Sequence, residues 1–217
     1  MNALILIGAV CLLGGLLLAE KQESIAGKLI TKTPLSMLFV LVALIQQRPD
    51  PFYYRLMMAG FFLSLLGDIL LVFYQRPLFL AGLISFLLAH VFFVLALMGL
   101  GTVLSFSWVL LCGALVVAGG FVYCWLKPHF GTMKVPAIAY MVVISCMLAG
   151  AGRVFLDPGV PGGGRVVVFT GALLFYLSDL FVARDRFMEK SFINRLIGLP
   201  LYYAAQFLLA FSVGLVG

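Results

Sequence analysis

Eight apolar runs, each about as long as a bilayer is thick, constrain this chain more than any other feature of its sequence. A spanning helix needs about 20 apolar residues, and a backbone exposed to lipid must satisfy its own hydrogen bonds. The sequence therefore predicts an all-α fold, a polytopic membrane bundle of eight transmembrane helices in a single domain over residues 1–217. The predicted spans are 3–19, 29–45, 56–73, 78–100, 108–126, 135–155, 166–182 and 196–213.

Composition supports this class and excludes others. Hydrophobic residues make up 64% of the chain and charged residues only 10%, too few to cover a soluble domain. The net charge of +6 comes from basic residues spread over short connections, not from a basic stripe with interleaved aromatics, so no nucleic-acid partner is predicted. The cysteines lie inside apolar runs without a CxxC pair, which indicates small core residues and no metal site; they are Cys11, Cys112, Cys124 and Cys146.

The positions of the basic residues predict an orientation in the membrane. Ten of them belong to the first, third, fifth and seventh connections with the adjoining helix ends, and four lie elsewhere, at Arg48, Arg55, Arg153 and Arg165. Because basic residues favour the cytoplasmic side, the odd-numbered connections are predicted to be cytoplasmic. Both termini are then non-cytoplasmic, in a cell or inner membrane if the source is bacterial.

The third and seventh spans align without a gap. Gly60, Leu63, Leu66 and Asp68 match the residues found 111 positions later, which are Gly171, Leu174, Leu177 and Asp179. An even number of helices in each half keeps both copies in the same orientation. The match therefore suggests a parallel 4+4 internal repeat with its axis along the membrane normal.

Asp68 and Asp179 are acids placed within spans, where ionisable groups usually face the bundle interior or a wet cavity. With a rise of about 1.5 Å per residue, both lie roughly 5 to 8 Å from the predicted cytoplasmic ends of their helices. Polar residues of other spans come to the same inner half, namely Lys32, Tyr140, Tyr203, Gln206 and His90. This pattern predicts a polar cavity. The simpler alternatives are solvated helix ends for the acids, a structural histidine, and aromatic-belt positions for Tyr202 and Tyr203.

At these positions the sequence resembles the YhhN family, also called the lysoplasmalogenase family of membrane proteins. The resemblance covers nearly the whole chain, and its specificity comes from the order and spacing of short stretches. These are Lys32-Thr33-Pro34-Leu35, Ser64-Leu65-Leu66-Gly67-Asp68, Phe79-Leu80-Ala81-Gly82-Leu83 with Ala89-His90, Tyr140, Gly171-Ala172-Leu173-Leu174-Phe175 with Ser178-Asp179, and Tyr202-Tyr203 with Gln206.

The resemblance implies a hydrolase without a cofactor, which cleaves the vinyl-ether bond of a lysophospholipid substrate, the lysoplasmalogen, to a fatty aldehyde and a glycerophospho-head group. As a hypothesis, one of Asp68 and Asp179 donates the proton and the other faces the oxocarbenium ion. His90 and Tyr140 would position water or tune the acids, and Lys32 would meet the lipid phosphate. The remaining predicted substrate residues are Ser64, Ser178, Tyr203 and Gln206.

The sequence leaves the head group and the function class open. After Met147 the chain reads Leu148-Ala149-Gly150, where animal members carry a Trp-Arg pair before the alanine, so the head group is not fixed. The oligomeric state is also open. A zinc amide hydrolase would need several histidines, and His90 is alone in the spans. A small transporter or lipid-binding regulator could use the two acids as a proton relay, although no Pro or Gly interruption is expected at mid-depth after the second span.

Overall fold

The computed structural model describes residues 2–73 and 75–217, apart from the side chain of Thr132. Within these residues the chain forms eight α-helices and no strand, which confirms the all-α prediction. The helices are α1 (Asn2–Lys21), α2 (Ile25–Ile45), α3 (Pro51–Leu70), α4 (Arg76–Leu100), α5 (Phe106–Leu126), α6 (Lys134–Leu156), α7 (Gly162–Phe187) and α8 (Phe192–Ser212).

Seven of the described helices, α1 to α7, are long and apolar enough to cross a membrane. This agrees with an integral membrane protein. The eighth helix, α8, has 21 residues, as many as α2, and packs along α7. The helix α8 is not among these seven. It is less apolar because it contains the polar residues Asn194, Arg195 and Gln206.

The cap at the start of α3 explains why this helix begins earlier than the sequence predicted. Asp50 caps α3, because its Oδ1 accepts hydrogen bonds from the N–H groups of Phe52 at 2.8 Å and Tyr53 at 2.9 Å. Pro51 follows in the first turn, a position that proline favours. The helix therefore begins five residues before the predicted start at 56, and it ends at Leu70, three before the predicted end at 73.

Neighbouring helices pack in an order that fits the suggested repeat. Successive helices contact one another within α1–α4 and within α5–α8, and the contacts of α4 with α6 and of α2 with α8 join the two sets. If four is added to each helix number, with α1 following α8, the same set of helix contacts results. The exception is an additional contact between α1 and α8. The duplication itself stays a prediction.

Two close helix crossings position the acids. A Cβ atom on Gly67 of α3 would come within 2.6 Å of the Phe86 ring and 3.3 Å of the carbonyl oxygen of Gly82, so α3 and α4 cross too closely for a larger residue. Asp68 follows directly. In α7 and α8, Gly198 lies beside the carbonyl group of Ser178, the residue that precedes Asp179.

Two prolines lie inside helices, each at about the ninth or tenth residue of its helix. Pro34 is within α2, and Pro200 is within α8. Proline has no N–H group, so each leaves the carbonyl group four residues earlier without its helical partner. Both helices nevertheless run continuously through their prolines, and α8 extends from Phe192 to Ser212.

A column of aromatic rings forms the centre of the bundle. Phe39, Phe61, Phe93 and Phe175 are fully buried, and successive ring centroids lie 5.8, 5.4 and 6.5 Å apart. The rings come from α2, α3, α4 and α7. Phe175 also contacts Tyr202 of α8 at 5.3 Å, so the column ends among the predicted polar residues.

Candidate active site

Asp68 is buried between α2, α3 and α8 and has three hydrogen-bonding or ionic partners. Lys32 Nζ lies 3.0 Å from Oδ1. Ser36 Oγ donates to Oδ2 at 2.6 Å, and Tyr202 OH donates to the same oxygen at 2.7 Å. A buried carboxylate needs both a countercharge and hydrogen-bond donors. The three partners supply both.

The network around Asp68 continues along α8. Tyr203 OH lies 3.2 Å from Ser36 Oγ, and Gln206 Nε2 donates to Tyr202 OH at 3.1 Å. Gln206 Oε1 and Ser64 Oγ are buried, and neither has a hydrogen-bond partner among the described residues. The structure thus places three of the predicted residues around Asp68. Lys32 contacts its carboxylate directly, Tyr203 is linked to it through Ser36, and Gln206 is linked to it through Tyr202.

Asp179 belongs to a second cluster, with Tyr140 and His90. Tyr140 OH donates to Asp179 Oδ2 at 3.0 Å. His90 Nδ1 lies 2.7 Å from the carbonyl oxygen of Phe86, which can only accept, so this nitrogen carries a proton. In the neutral ring Nε2 is therefore an acceptor. It lies 3.8 Å from Asp179 Oδ2, beyond hydrogen-bonding distance.

Aromatic rings separate the two clusters. The Phe175 ring lies 4.6 Å from the ring of His90 and 5.3 Å from that of Tyr202. Asp68 and Asp179 therefore occupy adjacent polar clusters with an apolar ring between them. The prediction that the acids act as a pair on one reacting group stays a prediction.

A cavity of about 160 Å³ lies at the end of the bundle formed by the third, fifth and seventh connections. Its walls are mostly apolar, as in many small-molecule sites. Asp179 lines it, whereas Asp68 lies behind Lys32 and Tyr202. The polar side chains of the lining are Lys32, Tyr140, Tyr176, Ser178, Asp179, Tyr202, Asp185, Arg186, Asn194 and Arg195.

Charged side chains surround the cavity where α7 ends and α8 begins. Arg195 Nη2 lies 2.7 Å from Asp185 Oδ2. The Arg186 guanidinium lies over the Phe79 ring, 3.9 Å from its centroid. An arginine in this position can form paired hydrogen bonds with a phosphate. Lys32, the predicted phosphate ligand, already has Asp68 as its ionic partner.

The two serines predicted as substrate residues differ in their surroundings. Ser178 lines the cavity, and its hydroxyl group donates to the carbonyl oxygen of Phe175 at 2.8 Å. Ser64 is fully buried in α3 and has no hydrogen-bond partner in the described part of the chain.

Several residues of this region were not predicted from the sequence, among them Ser36, Tyr202, Asn194 and Arg186. Ser36 lies one helical turn after Lys32 and so shares its face of α2, a signal that was available. Tyr202 was part of the matching stretches but was not assigned to the site. Asn194 and Arg186 fall outside the predicted apolar spans, and Arg186 was counted only among the basic residues of a connection.

Comparison with known proteins identifies the family. The YhhN family model matches residues 27–213. The chain is also 28% identical over 162 residues to the protein named lysoplasmalogenase TMEM86A of Bos taurus, a match that covers 70% of this chain and 62% of the bovine protein. The chain thus spans less than two thirds of that relative's length. No solved structure matches. Because the family model covers most of the sequence, the chain belongs to the YhhN family.

Proposed function

We propose that this protein is a membrane-embedded hydrolase that cleaves the vinyl-ether bond of lysoplasmalogens. The observation that carries the proposal is an acid, Asp179, in the wall of an apolar cavity, with Tyr140 and His90 beside it and arginines at the loop end. Membership of the YhhN family and the name of the bovine relative support the same activity.

The reaction needs one proton donor and one water molecule. Asp179 transfers a proton to the outer vinyl carbon, and the electron pair of the double bond forms the new C–H bond. The carbon attached to the ether oxygen becomes an oxocarbenium ion. Water adds there and returns a proton to the Asp179 carboxylate, which gives a hemiacetal. Its C–O bond then breaks, and the hydroxyl proton passes to the departing glycerol oxygen, releasing the aldehyde.

The neighbours of Asp179 have separate roles in this mechanism. Tyr140 donates to Oδ2, which leaves Oδ1 to carry the proton that is transferred. His90 Nε2 is a buried acceptor with no hydrogen-bond partner among the described residues. It lies behind the cavity wall, 3.8 Å from Asp179 Oδ2, so its proposed role is to hold a water molecule against the Asp179 carboxyl group. Both groups lie next to the acid and remain fixed by their helices.

Asp68 acts as a positioning residue in this proposal. Its carboxylate holds Lys32 at 3.0 Å and Tyr202 at 2.7 Å, and both of these side chains line the cavity. This revises the division of labour between the acids. Asp179 is the donor, and Asp68 stays an anion that orients the opposite wall.

A direct assay tests the activity. Purified protein in detergent is incubated with lysoplasmenyl-ethanolamine and with its choline analogue, and aldehyde is measured by mass spectrometry. We expect aldehyde from at least one substrate. Folded protein that releases aldehyde from neither would overturn the proposal.

One observation favours a second candidate, a small transporter or lipid-binding regulator. Pro34 and Pro200 each remove one backbone hydrogen bond from α2 and α8, the helices that carry Lys32 and Tyr202 of the Asp68 cluster. A free backbone carbonyl group beside a buried charge can coordinate a transported ion. Proton-dependent flux into proteoliposomes, together with absence of aldehyde release, would favour this candidate.

A further inference from the structure

Asn194 belongs to the cavity lining and carries a buried acceptor. The side chain lies in the first turn of α8 and is only 2% exposed. Its Nδ2 donates to the carbonyl oxygen of Glu189 at 2.9 Å and lies 3.5 Å from Asp185 Oδ1. Its Oδ1 has no hydrogen-bond partner among the described residues, and the residue lines the cavity.

The orientation of this amide is set by its neighbours. Reversing it would place the carbonyl oxygen against two other acceptors, the Glu189 carbonyl and the Asp185 carboxylate. Oδ1 is therefore the side-chain atom of Asn194 that has no hydrogen-bond partner among the described residues. A buried acceptor without a donor is unfavourable. In a binding cavity, such an atom is suited to a donor on the ligand.

The position of Asn194 indicates which part of a lysolipid it would meet. Gly198 lies beside the carbonyl group of Ser178, next to Asp179. Asn194 is one helical turn before Gly198, so it lies about 6 Å nearer to the loop end than the acid. In a lysoplasmalogen, the carbon next to the one bearing the ether oxygen carries the free sn-2 hydroxyl group. The head-group ammonium lies farther away, beyond the phosphate.

We propose, on the basis of the hydrolase function above, that Asn194 Oδ1 accepts a hydrogen bond from the free sn-2 hydroxyl group of the lysolipid. This contact makes Asn194 a specificity-determining residue. A plasmalogen acylated at sn-2 has no donor there and would leave the buried oxygen unpaired. A site built for a hydroxyl group rejects analogues that lack it much more strongly than an apolar pocket rejects a change in size.

The first test uses the unchanged protein. Lysoplasmalogen is compared with an analogue that has hydrogen in place of the sn-2 hydroxyl group, each with an ethanolamine and a choline head group. We expect kcat/KM to fall at least about tenfold on loss of the hydroxyl group, with either head group. A loss that follows the change from ethanolamine to choline instead would assign Oδ1 to the ammonium and overturn the proposal.

The second test removes the amide. Asn194→Ala should lower kcat/KM for the lysoplasmalogen to the level of the deoxy analogue and leave the analogue unaffected. Asn2→Ala, at the other asparagine of the chain, is the matched control and should change neither. An equal loss on both substrates would indicate a structural role of Asn194 and contradict the proposal. If Asn194→Ala does not fold, the comparison of substrates on the unchanged protein still decides.

The two proposals fail in different ways. Absence of aldehyde from every lysoplasmalogen would overturn the hydrolase function, and the Asn194 assignment with it. Equal cleavage of the hydroxylated and deoxy substrates would leave the hydrolase function intact and overturn only the role of Asn194. That second result is also expected if Oδ1 simply binds a water molecule.

Discussion

Lys32 of α2 and Asp68 of α3 form a buried ion pair, with Nζ 3.0 Å from Oδ1 and side chains 10% and 2% exposed. Tyr202 of α8 donates to the same carboxylate, so the pair holds three helices together. The attraction within such a pair is offset by the cost of removing both charges from water. Removing one partner is therefore much more damaging than removing both.

We expect Lys32→Met to destabilise the protein by about 3 kcal/mol or more, because Asp68 would keep a buried charge without a cation. Combining it with Asp68→Asn should recover part of the loss. Thermal melts in detergent measure both changes. Lys190→Met, which affects the exposed pair with Glu23, should have a much smaller effect. A double variant as unstable as Lys32→Met would contradict this account.

The sequence predicts a common depth for the polar residues, but it does not predict the direction in which their side chains point. From helix length and rise, Lys32, Asp68 and Asp179 are predicted at one level of the membrane. Neighbouring residues of a helix point about 100° apart, because there are 3.6 residues per turn. Tyr202 therefore contacts Asp68 and lines the cavity, whereas Tyr203 contacts Ser36. A rotation of α8 by about 100° would exchange the directions of these two side chains, and in an almost wholly apolar chain the apolar periodicity is too weak to fix that rotation.

The residues that line the loop end of the cavity could not be predicted from the sequence either. The seventh span was predicted to end at 182, but α7 continues to Phe187 and so carries Arg186 to the cavity. Its last turns are polar, and hydrophobicity alone could not distinguish them from a connection. Asn194 was likewise placed before the start of the eighth span, although α8 already includes it.

Asp157 should make stability depend on pH. It follows α6, and its Oδ2 accepts from the N–H group of Thr102 at 2.8 Å and the hydroxyl group of Thr102 at 2.9 Å. The backbone hydrogen bond from Thr102 is the main cause that lowers the pKa of Asp157 below its ordinary value of 3.8. A lowered pKa in the folded state means that the stabilisation is present above that ordinary value and is lost as pH falls through the folded value.

We therefore expect Asp157→Asn to lower the melting temperature at pH 7, and the difference from the unchanged protein to shrink below about pH 4. Oδ1 of Asp157 also accepts from the N–H group of Gly159 at 2.9 Å, and an amide cannot accept through both of these positions. Asp50→Asn is a suitable control, because both of its cap hydrogen bonds go to one oxygen, which the amide retains. Melts across this pH range measure the effect. A difference that is constant with pH would show that the Asp157 charge is not involved.

The membrane orientation can be tested with a reporter. Ten basic residues against four favour the odd-numbered connections in the cytoplasm and both termini outside. A reporter that is active only in the cytoplasm should be silent when fused to the C-terminus and active when inserted in the fifth connection. The reverse pattern would place the opening of the cavity at the opposite leaflet.

The two acids should differ in their effects on catalysis. Asp179→Asn keeps the size of the side chain but removes the proton that is transferred, so kcat should fall roughly 100-fold or more. Asp68→Asn should lower kcat less, because Asp68 acts through Lys32 and Tyr202. Aldehyde release measures both, and Asp50→Asn, far from the cavity lining, should retain full activity.

Solvent deuterium should slow the unchanged protein and the Asp68→Asn variant alike, since in both a proton from Asp179 moves to carbon in the difficult step. This distinguishes a proton donor from a residue that merely shapes the cavity. Near-normal turnover by folded Asp179→Asn, with the isotope effect retained, would exclude Asp179 as the donor. Tyr140 and His90, which lie 3.0 Å and 3.8 Å from Asp179 Oδ2, would then be the next donors to replace.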